Sequence, residues 1–299
     1  DADEIALFAR SGHSPGPRVV GITFDDAWAS AWTVATPLLR RYQFKAVLFV
    51  APGRVPPDDI MRTTLDDRDG PPAEIDRSAV PFATWPELRA MSGTGFWDIQ
   101  AHSFAHALIF SDRALAGFVA PGYRPHVHEA PDVGPAAAPR FLSESDLGAP
   151  LYPVRYDDPE AREACMEIVL AGGGPAFFDD ARWAATLRRA ARPLKGRIET
   201  PAERDAAIAA DLAAAREMLE TRLRISTVRH LCFPWTIAGA AAERIAAEVG
   251  YESAYADALG ALHAVRRGWN PYRLMRLKNK FIFSLPGKGR RFMWSRTQS

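Results

Sequence analysis

Two short runs hold residue types suited to hydrolytic metal chemistry: Thr23-Phe24-Asp25-Asp26 and His102-Ser103-Phe104-Ala105-His106. Histidines at i and i+4 face the same way if residues 102–106 form a helical turn, so both imidazoles can grip one cation. With a carboxylate they make a facial set that leaves positions open for water and substrate. That set suits zinc first, and its open geometry also accepts cobalt, nickel, manganese or iron. Each run alone has a plainer reading: an Asp pair can be an N-cap and its solvated neighbour, and a His pair a helix surface. Their joint occurrence, each at the end of a strand-like run, favours a metal site.

The elements that must position these groups alternate. Val19 to Phe24 and Ala46 to Val50 are short, apolar and rich in β-branched residues, as strands covered on both faces are. Ala29 to Tyr42 between them has helical character. Further strands are expected at Trp97 to Ala101, Val228 to Phe233 and Ser253 to Tyr255. Thr84 with Glu87 and Thr200 with Glu203 have capping-box spacing, and Pro201 occupies the first helical position. The second box opens a long helix to about Arg222, and Ile237 to Val249 reads as another, closed by Gly250. This alternation is that of an α/β fold with largely parallel strands, in which sites gather at the carboxyl ends of strands. Residues 121–199 break the rhythm and read as an insertion within a single domain spanning 1–299. They open with a stretch rich in Pro, Gly and Ala, followed by helices at Pro159 to Ala171 and Ala181 to Arg192.

The chain has 299 residues, 47% hydrophobic and 24% charged, with a net charge of +1. No apolar run reaches the ~18 residues of a membrane span. Cys165 and Cys232 are too few for a disulfide framework or a four-cysteine zinc site. The chain starts at Asp1 with no signal-like segment, so a targeting peptide is expected to be absent or removed, and a cytoplasmic location is slightly favoured. Charge is uneven: from Ala258 onward there is no acid but ten Lys and Arg, leaving 27 of them against 36 acids, a formal −9, before that point. A basic end (residues 278–299 form its tail) on an acidic body suits an anionic partner, such as a phosphate group or an anionic membrane surface, or else is a solvated tail. Nucleic acid is not expected as the partner.

The Thr-Phe-Asp-Asp and His-Ser-x-x-His runs resemble the first two motifs of the polysaccharide deacetylases, the NodB-homology domain of carbohydrate esterase family four. Cys232-Phe233-Pro234-Trp235 stands where that family has its third motif, and Asn270 to Arg276 is similar to its closing strands. The resemblance implies a distorted (β/α) barrel interrupted by the insertion. It implies one divalent metal held by Asp26, His102 and His106, and a metal-bound water deprotonated by Asp25. The backbone N–H of Trp235 would be an oxyanion donor, and the substrate an N-acetylated sugar or glycan, phosphate- or lipid-linked if the basic end bears on it. Cys232 replaces the third-motif Arg that in many members orients the catalytic Asp.

The family's C-terminal catalytic His has no counterpart here. The general acid is left open among His13, His126, His128, His230 and a residue upstream of Asp1; alternation places His230 on the face of Cys232, as a packed residue. Trp28 and Trp235 could form a sugar-stacking wall or simply pack in the core. The same scaffold would also serve a deformylase or another amidase or esterase, or, without an acid in reach, a glycan-binding module that retains a metal.

Overall fold

The computed structural model describes residues 1–14, 16, 19–67, 81–106, 115, 117–122, 144–151, 159–191, 200–256 and 265–277. Its strands are β1 (Ile22–Asp25), β2 (Ala46–Val50), β3 (Trp97–Ala101), β4 (Gly117–Phe118), β5 (Pro150–Leu151), β6 (His230–Cys232) and β7 (Ser253–Tyr255). The α-helices are α1 (Ala2–Ser11), α2 (Thr36–Tyr42), α3 (Trp85–Gly93), α4 (Pro159–Ala171), α5 (Trp183–Ala190), α6 (Pro201–Leu223) and α7 (Ala240–Val249). Five strands form one all-parallel sheet in the order β1-β2-β3-β6-β7. Every new strand joins the same edge, so the order has no reversal of the doubly wound kind and is that of a (β/α) barrel. Leu274 continues the edge through a parallel bridge to Tyr255.

All five β2 residues are buried, because strands flank it on both sides and side chains cover both faces. Alternation divides the coverage. Ala46, Leu48 and Val50, with Trp97, Ile99 and Ala101, join the main core with α3, α6 and α7. Val47, Phe49, Cys232 and Tyr255 face the other way, onto Ala2, Ile5 and Ala9 of α1. Both capping boxes form. Glu87 does more than cap α3: it is fully buried and its carboxylate binds Arg62 at 2.8 Å. In the long α6, Ile208, Leu212, Ala215, Leu219 and Leu223 make the buried stripe, at the spacing of one helix face.

Strand β6 and helix α5 are each shorter at both ends than expected, and three other boundaries are shifted. The helix expected from Ala29 begins as a π-helical turn, Ala31–Ala35, because Pro37 offers no N–H to the ladder; the Thr36 hydroxyl donates to the Ala31 carbonyl instead. The helix expected from Ile237 starts at Ala240, since Trp235 and Thr236 take left-handed conformations first. The first strand begins at Ile22 rather than Val19, which is exposed.

Cys165, Val169, Leu187 and Ala191 of the expected insertion join Phe118, which precedes it, in a separate small core, against which Phe177, Phe178 and Trp183 pack. His126, His128, His263 and the tail 278–299 lie outside the described residues. No helix among the described residues is long and apolar enough to cross a membrane.

Candidate active site

The first two motifs, 76 residues apart, meet at the carboxyl ends of β1 and β3. Asp26 Oδ1 lies 3.6 Å from His102 Nε2 and 3.1 Å from His106 Nε2. The ligand atoms of Asp26, His102 and His106 all fall within 4.8 Å of one another. Asp26 is aimed by its other oxygen, which accepts from the Trp28 indole N–H at 3.3 Å, while Oδ1 is buried without a well-formed hydrogen bond. His102 Nδ1 lies 2.7 Å from the Cys232 carbonyl, to which it donates, leaving the lone pair on Nε2. A buried, orphaned carboxylate oxygen facing two imidazole nitrogens fits a divalent cation in chemistry and in spacing.

Electrostatics agree with this. Burial alone would raise the Asp26 carboxyl, but the His106 and His102 imidazoles and the Arg54 guanidinium outweigh it and hold the group well below the usual carboxylate range. Burial takes the His102 imidazole down from 6.5 to about 4, against the pull of Asp25, so it stays neutral and able to ligate. Between those two values a falling pH protonates the unfolded chain first, and the metal-free fold loses stability, about 3 kcal/mol in all. Urea unfolding of chelator-treated protein at pH 6.5 and pH 4 should show that loss, and His102→Gln should flatten it.

Asp25 sits beside this cluster in another role. Arg276 clasps it bidentately, Nη1 to Oδ1 and Nη2 to Oδ2, both at 2.6 Å, and Nη1 also reaches the Thr23 hydroxyl at 3.2 Å. The sequence reading missed Arg276 and grouped it with the basic end. Arg273 of the same stretch is likewise engaged, with Glu243. Cys232 lies beside Asp25, and its Sγ can share a ligand-sized cluster with Asp25 and His102. Burial and the Asp25 carboxylate push its thiol well up, so it remains protonated.

The loops that carry these groups are strained. Asp26, Ala27, Ser103, His106, Trp235 and Thr236 all have positive φ without being glycine. Such conformations cost about 1–3 kcal/mol each and persist where the surroundings enforce them. Residues 81–83 pin the first loop by hydrogen bonds from Ala29 N–H to the Pro81 carbonyl and from Ala83 N–H to the Ala27 carbonyl. The Trp235 turn leaves that residue's N–H without a backbone acceptor among the described residues. Its indole, half exposed, meets the His106 ring edge-on at 5.6 Å. Trp28, also half exposed, leans on Phe82.

The remaining described histidines are elsewhere. His230 is fully buried, held by the Ser253 hydroxyl at 2.8 Å and Asp3 at 2.9 Å, as a packed residue. His13 is exposed on the turn after α1, and among the described residues no hydrogen bond or ion pair joins its ring to the cluster.

Residues 12–115 match the polysaccharide deacetylase family model, the family that the two motifs resemble. No curated protein matches the chain. Among solved structures, IcaB from Ammonifex degensii is similar at 14% identity over 93% of this chain and 76% of that one, with a TM-score of 0.48. A de-N-acetylase from Aggregatibacter actinomycetemcomitans aligns at 15% identity over 91% and 75%, TM-score 0.47. The BpsB deacetylase domain from Bordetella bronchiseptica aligns at 20% identity over 83% and 67%, TM-score 0.43.

Proposed function

We propose that this chain, whose residues 12–115 are of the polysaccharide deacetylase family, is a metal-dependent hydrolase that removes N-acetyl groups from an N-acetylated sugar or glycan. The observation that carries the reading is the convergence of Asp26 Oδ1 and the two imidazole Nε2 atoms beside an arginine-clasped Asp25. A divalent cation held by Asp26, His102 and His106, zinc first by ligand type, would supply Lewis-acid activation of the acetamide carbonyl and of the attacking water.

The chain's own groups do the rest. Asp25 takes the proton of the attacking water and passes it to the amine nitrogen as the C–N bond breaks, releasing acetate and the free amine; the clasp from Arg276 keeps both its oxygens fixed against β1 meanwhile. The N–H of Trp235, without a backbone acceptor among the described residues, donates to the oxyanion as the carbonyl becomes tetrahedral. His102 and His106 serve as ligands, and neither gives nor takes a proton in this scheme. The exposed indole faces of Trp28 and Trp235 offer apolar platforms for sugar rings.

The test is acetate release from a panel of N-acetylated oligosaccharides by chelator-stripped protein, with and without added zinc or cobalt. Release should require metal. His106→Ala should lower it by more than the roughly 10–100-fold that loss of a ligand-orienting partner costs, and lower bound zinc in parallel. Undiminished release by stripped protein would refute the metal role. A tightly bound metal with no acetate from any substrate would move the reading to another acyl group or to glycan binding alone.

A further inference from the structure

We infer that Asp211, on α6, is a positioning residue for metal binding that acts through His106. This rests on the metal reading above. Its side chain reaches from the middle of α6 to the second motif. Oδ2 accepts from the Phe104 N–H at 2.9 Å and Oδ1 from the Ala105 N–H at 3.1 Å. Both oxygens of one carboxylate are thus spent on consecutive backbone amides, in the short span between the two imidazoles.

That span needs holding. Ser103 and His106 bracket it in left-handed conformations, with φ of 57° and 56°, which side-chain-bearing residues seldom adopt. Phe104 and Ala105 are buried, so their N–H groups have no access to water as an alternative acceptor. Within the turn, the His106 N–H donates to the Ser103 hydroxyl at 2.9 Å, which sets the direction in which the His106 imidazole leaves the backbone. Removing the Asp211 carboxylate orphans two buried donors and lets the turn relax toward ordinary backbone angles. The His106 ring moves with it.

His102 is insulated from that change. Its N–H donates to the Val50 carbonyl at 2.8 Å, directly after β3, and its ring is fixed by the Cys232 carbonyl. Asp26 is fixed separately, by Trp28 and the loop behind β1. One ligand of the three therefore depends on Asp211, which gives the inference a distinctive signature.

Zinc affinity of the full chain, measured by competition with a chromophoric chelator, reads it directly. Asp211→Ala should weaken binding about 10–100-fold, the range for partners that orient a ligand. Asp211→Asn, which keeps the shape and one accepting oxygen, should weaken it less and guards against a misfolded alanine variant. The visible bands of the cobalt-loaded Asp211→Ala protein should shift toward those of His106→Ala. Above all, Asp211→Ala combined with His106→Ala should bind zinc no more weakly than His106→Ala alone. Asp205→Asn on the same helix should leave affinity unchanged. Wild-type affinity in both Asp211 variants, or additive losses in the double variant, would overturn the positioning role while leaving the metal site standing. Absence of zinc binding by the wild-type chain would overturn both.

Discussion

Asp25→Asn should lower acetate release by about 10³-fold while zinc content stays at the wild-type level. The substitution changes no shape and removes only the basic oxygen. Asp26, His102 and His106 do not use Asp25 to hold their positions: Asp26 is turned by Trp28 and His102 by the Cys232 carbonyl. One of the two Arg276 hydrogen bonds survives, since an amide oxygen still accepts. The loss should therefore fall on kcat, with KM changed little, because the group acts on the attacking water and not on the sugar. Wild-type turnover in Asp25→Asn with metal in place would dismiss Asp25 as the base.

Arg276→Ala should touch both stability and rate. The pair is bidentate, and burial leaves the Asp25 side chain 31% and the Arg276 side chain 17% exposed. Burial alone would lower the guanidinium; the Asp25 carboxylate more than offsets this and raises it, so Arg276 stays charged. Charge-assisted bonds of this kind are worth up to about 3 kcal/mol, and partial solvent screening reduces the expected loss to about 2 kcal/mol by urea unfolding. Turnover should fall about 10–100-fold, because the carboxylate that receives the proton is free to rotate. Arg276→Lys restores the charge without the fork, so it should recover stability better than rate. Equal recovery of both would mean that charge alone, and not alignment, is what Arg276 provides.

Much of this arrangement is legible in sequence wherever the signal is local. The β2 run announces a doubly covered strand, and the Thr84/Glu87 and Thr200/Glu203 boxes mark helix starts that form as expected. The two motifs point to residues that do converge, Asp26, His102 and His106, because each sits at the end of a strand, where a parallel fold brings loops together. What escapes has no local spacing. Arg276 finds Asp25 across 251 residues, and Asp211 finds Phe104 across 107. One reads as part of the basic end, and the other belongs to no motif. Helix α1 escapes for a different reason: its fully buried stripe is Ala2, Ala6 and Ala9, too small to register as an apolar face. The π turn before Thr36 and the left-handed Trp235 are backbone events that residue type alone does not signal.

The seam between β3 and β6 carries a consequence of its own. These strands share a single register pair, Ala101 with Leu231. Side chains supply what the backbone ladder lacks. Gln100 accepts from the N–H groups of Arg229 and His230 and donates to the Thr227 carbonyl, and His102 donates to the Cys232 carbonyl. Ordinary strand pairs tolerate drift in residue identity because amides do the joining. Here a proposed metal ligand doubles as mortar. His102 is thereby tied to the architecture as well as to the chemistry, whereas His106 hangs on a turn that the sheet does not need. A descendant that gave up catalysis could discard His106 cheaply and keep its barrel, but shedding His102 would loosen the wall itself.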